Sequence, residues 1–224
     1  MPETNIRPEK PQRLEAGFVS FGILETNSPE AAADLVDALT SEVRQWARAT
    51  PGFLSARIHV SVDRTAVVHR SEWATDSDYQ DSFVDTARGK TLRELARLPG
   101  IVSATSVHAF PLDGLEGPEA GKEPGIVAVA VRHFANRDAV DGVMELLMSS
   151  GEWKRNFPGF ISASPCVSAD GTTFVNYPMW VDESAQHSWM KDPRISEGQE
   201  EIARLEAAPP EYFICTPVAY ITAV

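Results

Sequence analysis

One stretch of this chain occurs twice, at residues 51–73 and again at residues 158–180, with a constant offset of 107 residues and no gap. Each copy begins with Pro-Gly-Phe, ends in tryptophan, and has another tryptophan five residues before its proline. The identical pairs include Pro51/Pro158, Gly52/Gly159, Phe53/Phe160, Ser55/Ser162, Ala56/Ala163, Asp63/Asp170, Thr65/Thr172, Val68/Val175 and Trp73/Trp180. A repeat of roughly a hundred residues is longer than those of solenoids and propellers, which are about 20–50 residues. The repeat therefore predicts two copies of one small domain.

Hydrophobic periodicity predicts the same order of elements, β-α-β-β-α-β, in both copies. In the first copy, Ser28 and Pro29 mark the start of a helix, and the prolyl-glycine at residues 51–52 ends it. The other predicted elements of this copy are strands at 18–24, 53–62, 65–73 and 102–110 and a helix at 76–98. Those of the second copy are a strand at 126–134, a helix at 137–154, a hairpin across 160–180, a helical region broken at Pro193 and a strand at 212–222.

This order is the ferredoxin-like pattern, an antiparallel sheet with both helices on one face. The other face of each sheet needs an apolar cover, so we expect the two sheets to face each other as a barrel-like pair within one chain. A pocket should then lie in each copy between the sheet and its own helices. The predicted fold class is α+β, with an N-terminal arm at 1–15, a first domain at 16–112, a linker at 113–125 and a second domain at 126–224.

The chain carries 20 basic and 32 acidic residues, and its net charge of −12 would repel nucleic acid and anionic membranes. No apolar run has the length of a signal peptide or a membrane span. We therefore expect a cytoplasmic protein with neither nucleic acid nor membrane as a partner. Cys166 and Cys215 are too few for a disulfide framework, and His59, His108 and His133 lie on separate predicted strands, so we expect no metal site.

Polar and aromatic side chains share one face of the returning strand in each copy. Because side chains alternate along a strand, His69 projects with Trp73, and Asn176 projects with Trp180. A hydrogen-bonding group beside an aromatic wall would suit a flat ligand. The spacing leaves open the alternative that both tryptophans are core residues and that the polar groups are satisfied internally. Tyr79 begins the next helix, where it is either an amphipathic edge residue or a hydroxyl that reaches back over the strand.

With its Pro-Gly-Phe motif, its hairpin and the strand endings VVHRSEW and FVNYPMW, the sequence resembles the antibiotic biosynthesis monooxygenase family in both copies. The resemblance implies ferredoxin-like units paired as a dimeric α+β barrel. The family includes anthrone oxygenases, and the fused tandem copy resembles the ring-opening oxygenases of angucycline pathways. The implied function is an oxygenase that tailors an aromatic polyketide of the anthrone or angucyclinone type with O₂, by quinone-forming oxidation or by oxidative ring cleavage.

The resemblance also implies roles for individual residues. The matching strand of the anthrone oxygenases carries Asn-x-x-x-Trp, with a tyrosine six residues later, which implies catalytic roles for His69, Trp73 and Tyr79 in the first copy. The second copy has Gln186 where the tyrosine would stand. The substrate-binding residues implied by the resemblance are Trp46, Phe53, Phe83, Asn176 and Trp180.

Available chemistry favours the first copy as the working pocket. His69 is a titratable base whose ordinary pKa suits proton removal near neutral pH, whereas Asn176 and Gln186 are uncharged amides. Phe83 and Met190 stand where the haem-degrading branch of the family has its haem-ligating histidine. We therefore expect no haem.

The resemblance leaves two cofactor requirements open. Anthrone oxygenases imply a cofactor-free reaction with O₂, and ring-opening enzymes imply reduced flavin, FADH₂ or FMNH₂, delivered by a separate reductase. The expected partners are thus an aromatic polyketide and, in the second case, a flavin reductase, and a further homodimer is left open. The alternative function is a non-catalytic ligand-binding or cyclase-like protein that has kept the fold.

Overall fold

The computed structural model describes residues 16–46, 50–84, 86–149 and 151–223, so the predicted N-terminal arm at 1–15 lies outside the described residues. The first half contains strands β1 (Phe18–Thr26), β2 (Phe53–Ser61), β3 (Ala66–Trp73) and β4 (Ile101–Pro111) and helices α1 (Pro29–Trp46), α2 (Asp76–Phe83) and α3 (Ala87–Leu95). The predicted helix at 76–98 is thus two helices. The second of them starts at Ala87, and the side-chain oxygen of Thr86 accepts a hydrogen bond from the Gly89 N–H and caps the first turn.

The second half is more finely divided than its sequence predicts. Its strands are β6 (Ile126–Phe134), β7 (Phe160–Ala163), β8 (Cys166–Ser168), β9 (Thr173–Asn176), β10 (Pro178–Trp180) and β11 (Glu206–Thr222), and its helices are α4 (Arg137–Ser149), α5 (Gly151–Arg155), α6 (Glu183–Met190) and α7 (Pro193–Ala203). The predicted hairpin is broken at two prolines, Pro165 and Pro178, which lack the N–H that a continuous ladder uses. The segment predicted as a linker, 113–125, contributes strand β5 (Leu115–Glu116), which pairs with β7.

Eight strands close into a barrel, in the order β1-β4-β8-β9-β6-β11-β2-β3 and back to β1. Two of these pairings join the halves, because β4 of the first half pairs with β8 and β2 pairs with β11. An apolar cluster in the barrel interior draws on both halves: Val19, Phe21, Ile23, Val68, Ala109, Val127, Val129, Val131, Cys166, Val175, Tyr177 and Cys215. The face of each sheet that carries no helices is therefore covered by the sheet of the other half.

The repeated residues occupy equivalent turns in the two halves. Gly52 and Gly159 have φ of 73° and 80°, in the left-handed region that favours glycine. A Cβ at Gly52 would collide with Asp78, and a Cβ at Gly159 would collide with Ala185, both on the helix that follows the hairpin. The Pro-Gly-Phe motif is thus needed twice because the start of each hairpin passes directly under a helix.

The helices cover the outside of the barrel. Helix α1 buries the face predicted from its spacing, namely Leu35, Leu39, Val43 and Trp46, together with Ala32. No helix among the described residues is long and apolar enough to cross a membrane.

Candidate functional site

Each half has a cavity between its sheet and its helices, as the fold predicts, but the two cavities differ threefold in volume. The larger cavity, in the second half, has a volume of about 560 Å³ and the smaller cavity, in the first half, about 170 Å³. Sites for drug-sized ligands are typically about 300–1,000 Å³. Of the two, the larger cavity therefore has room for a polycyclic molecule and the smaller does not.

Small and polar side chains form the floor of the larger cavity. Strand β6 contributes Ala128 and Ala130, whose small side chains leave space above the sheet. The adjacent strands β9 and β10 contribute Asn176 and Trp180, with Asn176 directly opposite Ala130 in the antiparallel ladder. The predicted polar and aromatic pair of the second copy therefore lies on the floor of the larger cavity.

Apolar side chains from four elements form its walls and roof. They include Met144, Leu147 and Met148 of α4, Trp189 and Met190 of α6, Ile195 of α7 and Leu115 of β5. Trp189 packs on Phe160, with the ring centroids 4.8 Å apart, and on Trp180, with the centroids 5.7 Å apart. This is the surface that an aromatic ligand would contact.

Three uncharged polar groups lie at the larger cavity. Asn176 is half-buried and Gln186 is buried. Trp180 is 2% exposed, and its indole N–H has no hydrogen-bond partner among the described residues. A buried N–H without an acceptor is costly.

Two basic residues also line the larger cavity, and sequence reasoning missed both. Lys154 of α5 is buried, with its Nζ 3.5 Å from the main-chain carbonyl oxygen of Leu147. Burial lowers the pKa of its ammonium group to about 8. Arg132 of β6 is 4% exposed and forms an ion pair with Glu206.

Arg132 is the centre of a buried polar cluster at one part of this cavity. Its guanidinium donates to Glu206 Oε1, to the side-chain oxygen of Gln199 and to the Tyr212 hydroxyl. The Tyr212 hydroxyl donates in turn to Gln199, at 3.0 Å. Burial is the main reason that the pKa of Tyr212 is raised. With its charge compensated by Glu206, Arg132 acts chiefly as a structural cation.

The first-half residues predicted as catalytic lie around the smaller cavity. His69, Tyr79 and Phe83 line it. The Tyr79 hydroxyl is hydrogen-bonded to Nε2 of His108 at 3.0 Å and lies 3.4 Å from the Ser20 hydroxyl, so it does reach back over the strand. Burial raises the pKa of Tyr79.

The proton affinity of His69 is lower than its predicted role as a base requires. Its Nε2 is buried without a hydrogen-bond partner among the described residues. Burial lowers the pKa of His69 to about 4, because the apolar surroundings disfavour the charged imidazolium. The expectation of a base with an ordinary pKa near neutral pH is therefore corrected. His69 is a neutral imidazole at pH 7 and a weak base.

The other aromatic residues predicted in the first half form a packed core. Trp46, Phe53 and Trp73 are not among the residues that line the smaller cavity. They pack against one another with Phe83 in a single cluster, and the Trp73 indole N–H donates to the Ser71 hydroxyl at 3.0 Å. For Trp73 the structure favours the core alternative that the spacing left open, and Trp46 and Phe53 belong to the same cluster.

Side-chain volume explains why one cavity is small. The rings of Tyr79 and Phe83 stack 5.3 Å apart in the first half, where the second half has Gln186 and Met190 at the equivalent positions. The thinner, flexible side chains of Gln186 and Met190 leave open in the second half the space that the two rings fill in the first half. The first copy has the richer acid–base chemistry, and the second copy has the space.

The chain matches no protein-family model and no curated protein. Solved structures do match it. An anthrone oxidase-like protein superposes with a TM-score of 0.77 at 15% identity, over 93% of this chain and 94% of its own. A candidate monooxygenase of Fusobacterium nucleatum gives a TM-score of 0.68 at 8% identity, over 92% and 94%. A Listeria monocytogenes ferredoxin-fold protein related to antibiotic biosynthesis monooxygenases gives 0.56 at 11% identity, over 94% and 99%.

The structural neighbours of this chain are ferredoxin-fold proteins of the antibiotic biosynthesis monooxygenase type. The resemblance predicted from the sequence motifs is thereby confirmed at the level of the fold. Within this monooxygenase-type fold, sequence reasoning missed Lys154 and Arg132 as cavity residues. One signal was present for Arg132, since strand 126–134 alternates Ala128, Ala130 and Arg132 on one face, but none placed Lys154.

The lowered pKa of His69 predicts a pH dependence of stability. Its folded pKa of about 4 lies below the ordinary value of 6.5, so between these values the unfolded chain binds more protons than the native state. The free energy of unfolding should therefore fall as the pH drops from 6.5 to 4. His69→Asn places at position 69 the residue type found at the equivalent position of the second half. This substitution should make the decrease in the free energy of unfolding smaller by about 2–3 kcal/mol. Urea unfolding at pH 7, 5.5 and 4.5 measures it.

The free energy of unfolding of the His69→Asn variant should still depend on pH, because burial also lowers the pKa of His59, to about 3. His187 is exposed on α6, so His187→Asn serves as the control for the loss of a histidine from the surface. Equal pH dependence in wild-type protein and His69→Asn would contradict the assignment of a depressed pKa to His69.

Proposed function

We propose that this protein is an oxygenase that oxidises an aromatic polyketide of the anthrone or angucyclinone type with O₂ in the larger cavity. The observation that carries the proposal is the apolar, polycycle-sized cavity with Asn176 and Trp180 on its floor. The likeness in fold to an anthrone oxidase-like protein and to monooxygenase-type proteins supports the oxygenase class. The working site is thus assigned to the second half, in place of the first.

The substrate lies flat against the Trp180 and Trp189 wall in this proposal. Its ring carbonyl accepts hydrogen bonds from the Trp180 indole N–H and the Asn176 amide. Loss of a proton to water from the ring carbon opposite the carbonyl turns that oxygen into an enolate oxygen. Donors that are already in place stabilise the developing charge without reorganisation, and in many enzymes such stabilisation lowers the activation barrier more than any other effect.

The enolate is the electron-rich form that reacts with O₂. It transfers an electron to O₂, and the two radicals combine at the deprotonated carbon to give a peroxide anion. That anion takes up a proton from water to become a hydroperoxide, which loses water to leave a quinone. Anthrone and O₂ thus give anthraquinone and water, with the substrate oxidised and O₂ reduced. The cavity volume suits one drug-sized molecule, which favours the cofactor-free reaction over one that also holds reduced flavin.

Oxygen uptake tests this proposal. Anthrone is incubated with the protein, with and without reduced flavin and a flavin reductase, and anthraquinone formation is followed with O₂ consumption. Ala130→Leu should abolish uptake, since it fills the floor of the larger cavity. Gly22→Ala is the matched change at the equivalent position of the smaller cavity, where the added Cβ would meet no atom closer than 3.9 Å, and it should leave uptake unchanged.

Two results would overturn the proposal. Tight binding of anthrone or an angucyclinone with no O₂ uptake in either condition would favour the non-catalytic alternative. Uptake that survives Ala130→Leu and is lost in Gly22→Ala would return the site to the first half. Uptake that requires reduced flavin would keep the oxygenase and replace the cofactor-free route.

A further inference from the structure

The segment that joins the two halves forms one end of the larger cavity. Its glycines and acidic residues are typical of a flexible linker, but strand β5 within it pairs with β7, with Leu115 opposite Ala163. Further backbone hydrogen bonds hold the segment against the second half, from the N–H groups of Leu112, Gly117 and Glu119 to the carbonyl oxygens of Pro165, Ile161 and Phe160, at 2.9, 2.8 and 3.2 Å. The segment is therefore an additional edge strand of the second-half sheet.

Two glycines of this segment allow its close approach to β7. A Cβ at Gly114 would lie 2.4 Å from the carbonyl oxygen of Ala163, and a Cβ at Gly117 would lie 2.2 Å from that of Phe160. Both distances are well inside van der Waals contact. Glycine in a strand often marks such an approach of two backbones. The glycine-rich composition thus allows the segment to pack on the sheet.

Leu115 is the side chain that this segment contributes to the cavity. It is 7% exposed, lines the larger cavity and packs in one apolar cluster with Phe160, Trp180 and Trp189. A Cβ at Gly151 of α5 would lie 3.2 Å from the Leu115 Cδ2, so this helix also lies directly against the side chain. The position of Leu115 is therefore fixed by the strand on one side and by the helix on the other.

The order of the strands places Leu115 at one end of the cavity floor. The strands under the cavity run in the order β11-β6-β10-β7-β5, so β5 is the last of them, and β11, with Tyr212 and Ile214, is at the opposite end. Met148 and Met190 also line the cavity but are 41% and 48% exposed. A ligand that lies flat on the floor therefore meets a closed wall at Leu115 and solvent near the two methionines.

The first half has an equivalent side chain at a position without a large cavity. Ile221 of β11 pairs with Ala56 as Leu115 pairs with Ala163, and Ala56 and Ala163 are equivalent in the repeat. Ile221 is 6% exposed and packs with Trp73 in the core cluster of the first half. An apolar side chain at this position is therefore part of the fold in both halves, and in the second half it also faces a ligand-sized cavity.

We propose that Leu115 sets the length of ligand that the larger cavity accepts, so that the segment joining the halves is a specificity element of the site. The inference rests on the proposed function for the kind of ligand, and it adds the residue that limits ligand size. Leu115→Ala removes three carbon atoms at the closed end of the cavity. One methylene in an apolar pocket is typically worth about 10–200-fold in discrimination, so a longer ligand should gain affinity in this variant.

Binding of two linear quinones tests the inference without turnover. Dissociation constants for anthraquinone, with three fused rings, and for naphthacenequinone, with four, are measured at pH 7 by quenching of tryptophan fluorescence. Relative to wild-type protein, Leu115→Ala should shift the ratio of the two constants about tenfold or more in favour of naphthacenequinone. Leu115→Phe, which extends the wall into the cavity, should shift the ratio in favour of anthraquinone.

Two matched variants separate ligand length from other effects. Met190→Ala also removes three heavy atoms from the lining, but at an exposed position, and should leave the ratio unchanged. Ile221→Ala removes the equivalent buried side chain of the first half, so it should lower stability as Leu115→Ala does and leave the ratio unchanged. If circular dichroism shows that Leu115→Ala does not fold, Leu115→Val takes its place and should give a smaller shift in the same direction.

The outcomes are distinguishable from those of the proposed function. An unchanged ratio in Leu115→Ala, an equal shift in Met190→Ala, or no binding of either quinone by wild-type protein would overturn the role of Leu115, and O₂ uptake with anthrone would still decide the oxygenase separately. A ratio that depends on Leu115, in a protein that consumes no O₂ with anthrone, would support the specificity element and overturn the oxygenase.

Discussion

Replacing Trp180 with phenylalanine should lower kcat for anthrone oxidation about 10²-fold, the usual scale for removing one donor to a developing oxyanion. Phenylalanine keeps an aromatic ring against Trp189 and Phe160 but lacks the indole N–H, which has no acceptor among the described residues. The loss should appear in kcat and in kcat/KM alike, because the hydrogen bond strengthens as charge develops on the substrate oxygen. Initial rates of O₂ uptake across a range of anthrone concentrations measure it.

Trp73→Phe is the matched control for this prediction. Trp73 stands at the equivalent position of the first half, but its N–H already donates to the Ser71 hydroxyl and its ring is part of the packed core. Its replacement should lower stability and leave the kcat of folded protein within about twofold. If Trp73→Phe had the larger kinetic effect, the first half would hold the active site.

Replacing Glu206 with alanine should lower the free energy of unfolding by about 3–5 kcal/mol, the largest effect on stability that we expect from a single charge. The Glu206 and Arg132 side chains are 6% and 5% exposed, so the substitution leaves a buried guanidinium without its counter-charge. Gln199 and Tyr212 still accept hydrogen bonds from Arg132, but neither carries a negative charge. Urea unfolding at pH 7 gives the change.

The control is an exposed ion pair of the same half. Arg137 and Asp141 are one turn apart on α4, 2.8 Å from each other and 52% and 60% exposed. Asp141→Ala should change the free energy of unfolding by less than about 1 kcal/mol, because solvent screens the pair. Equal effects of Glu206→Ala and Asp141→Ala would show that the cavity admits enough water to solvate Arg132.

The two halves have similar strands and helices and differ in the side chains that lie between them. Where the second half leaves a cavity, the first half has the Tyr79 and Phe83 rings, and the Tyr79 hydroxyl is bonded to His108. Buried contacts also join the halves, since the Tyr177 hydroxyl and the His59 ring nitrogen Nε2 are 2.6 Å apart in the barrel interior. We infer that the first half serves as a structural partner that completes the barrel under the second-half cavity.

The sequence by itself determined the features that depend on local geometry. The repeat and the alternation along its strands predicted two equivalent hairpins, and in both the glycine of the Pro-Gly-Phe motif has a positive φ where the chain passes under a helix. Alternation along a strand predicted that His69 and Val68 lie on opposite faces, and His69 lies on the helix side while Val68 lies in the barrel interior. These features depend on a few adjacent residues, so one sequence contains the information for them.

Only the tertiary structure decided which half has a usable cavity. The free volume depends on how side chains from separate helices and strands meet, and the pairs Tyr79/Phe83 and Gln186/Met190 differ in volume without differing in periodicity. The pKa of His69 is likewise set by burial, which no spacing reveals. Lys154 reaches the cavity because α5 is a separate helix that packs against α4 and β5, a long-range contact that local sequence patterns do not encode.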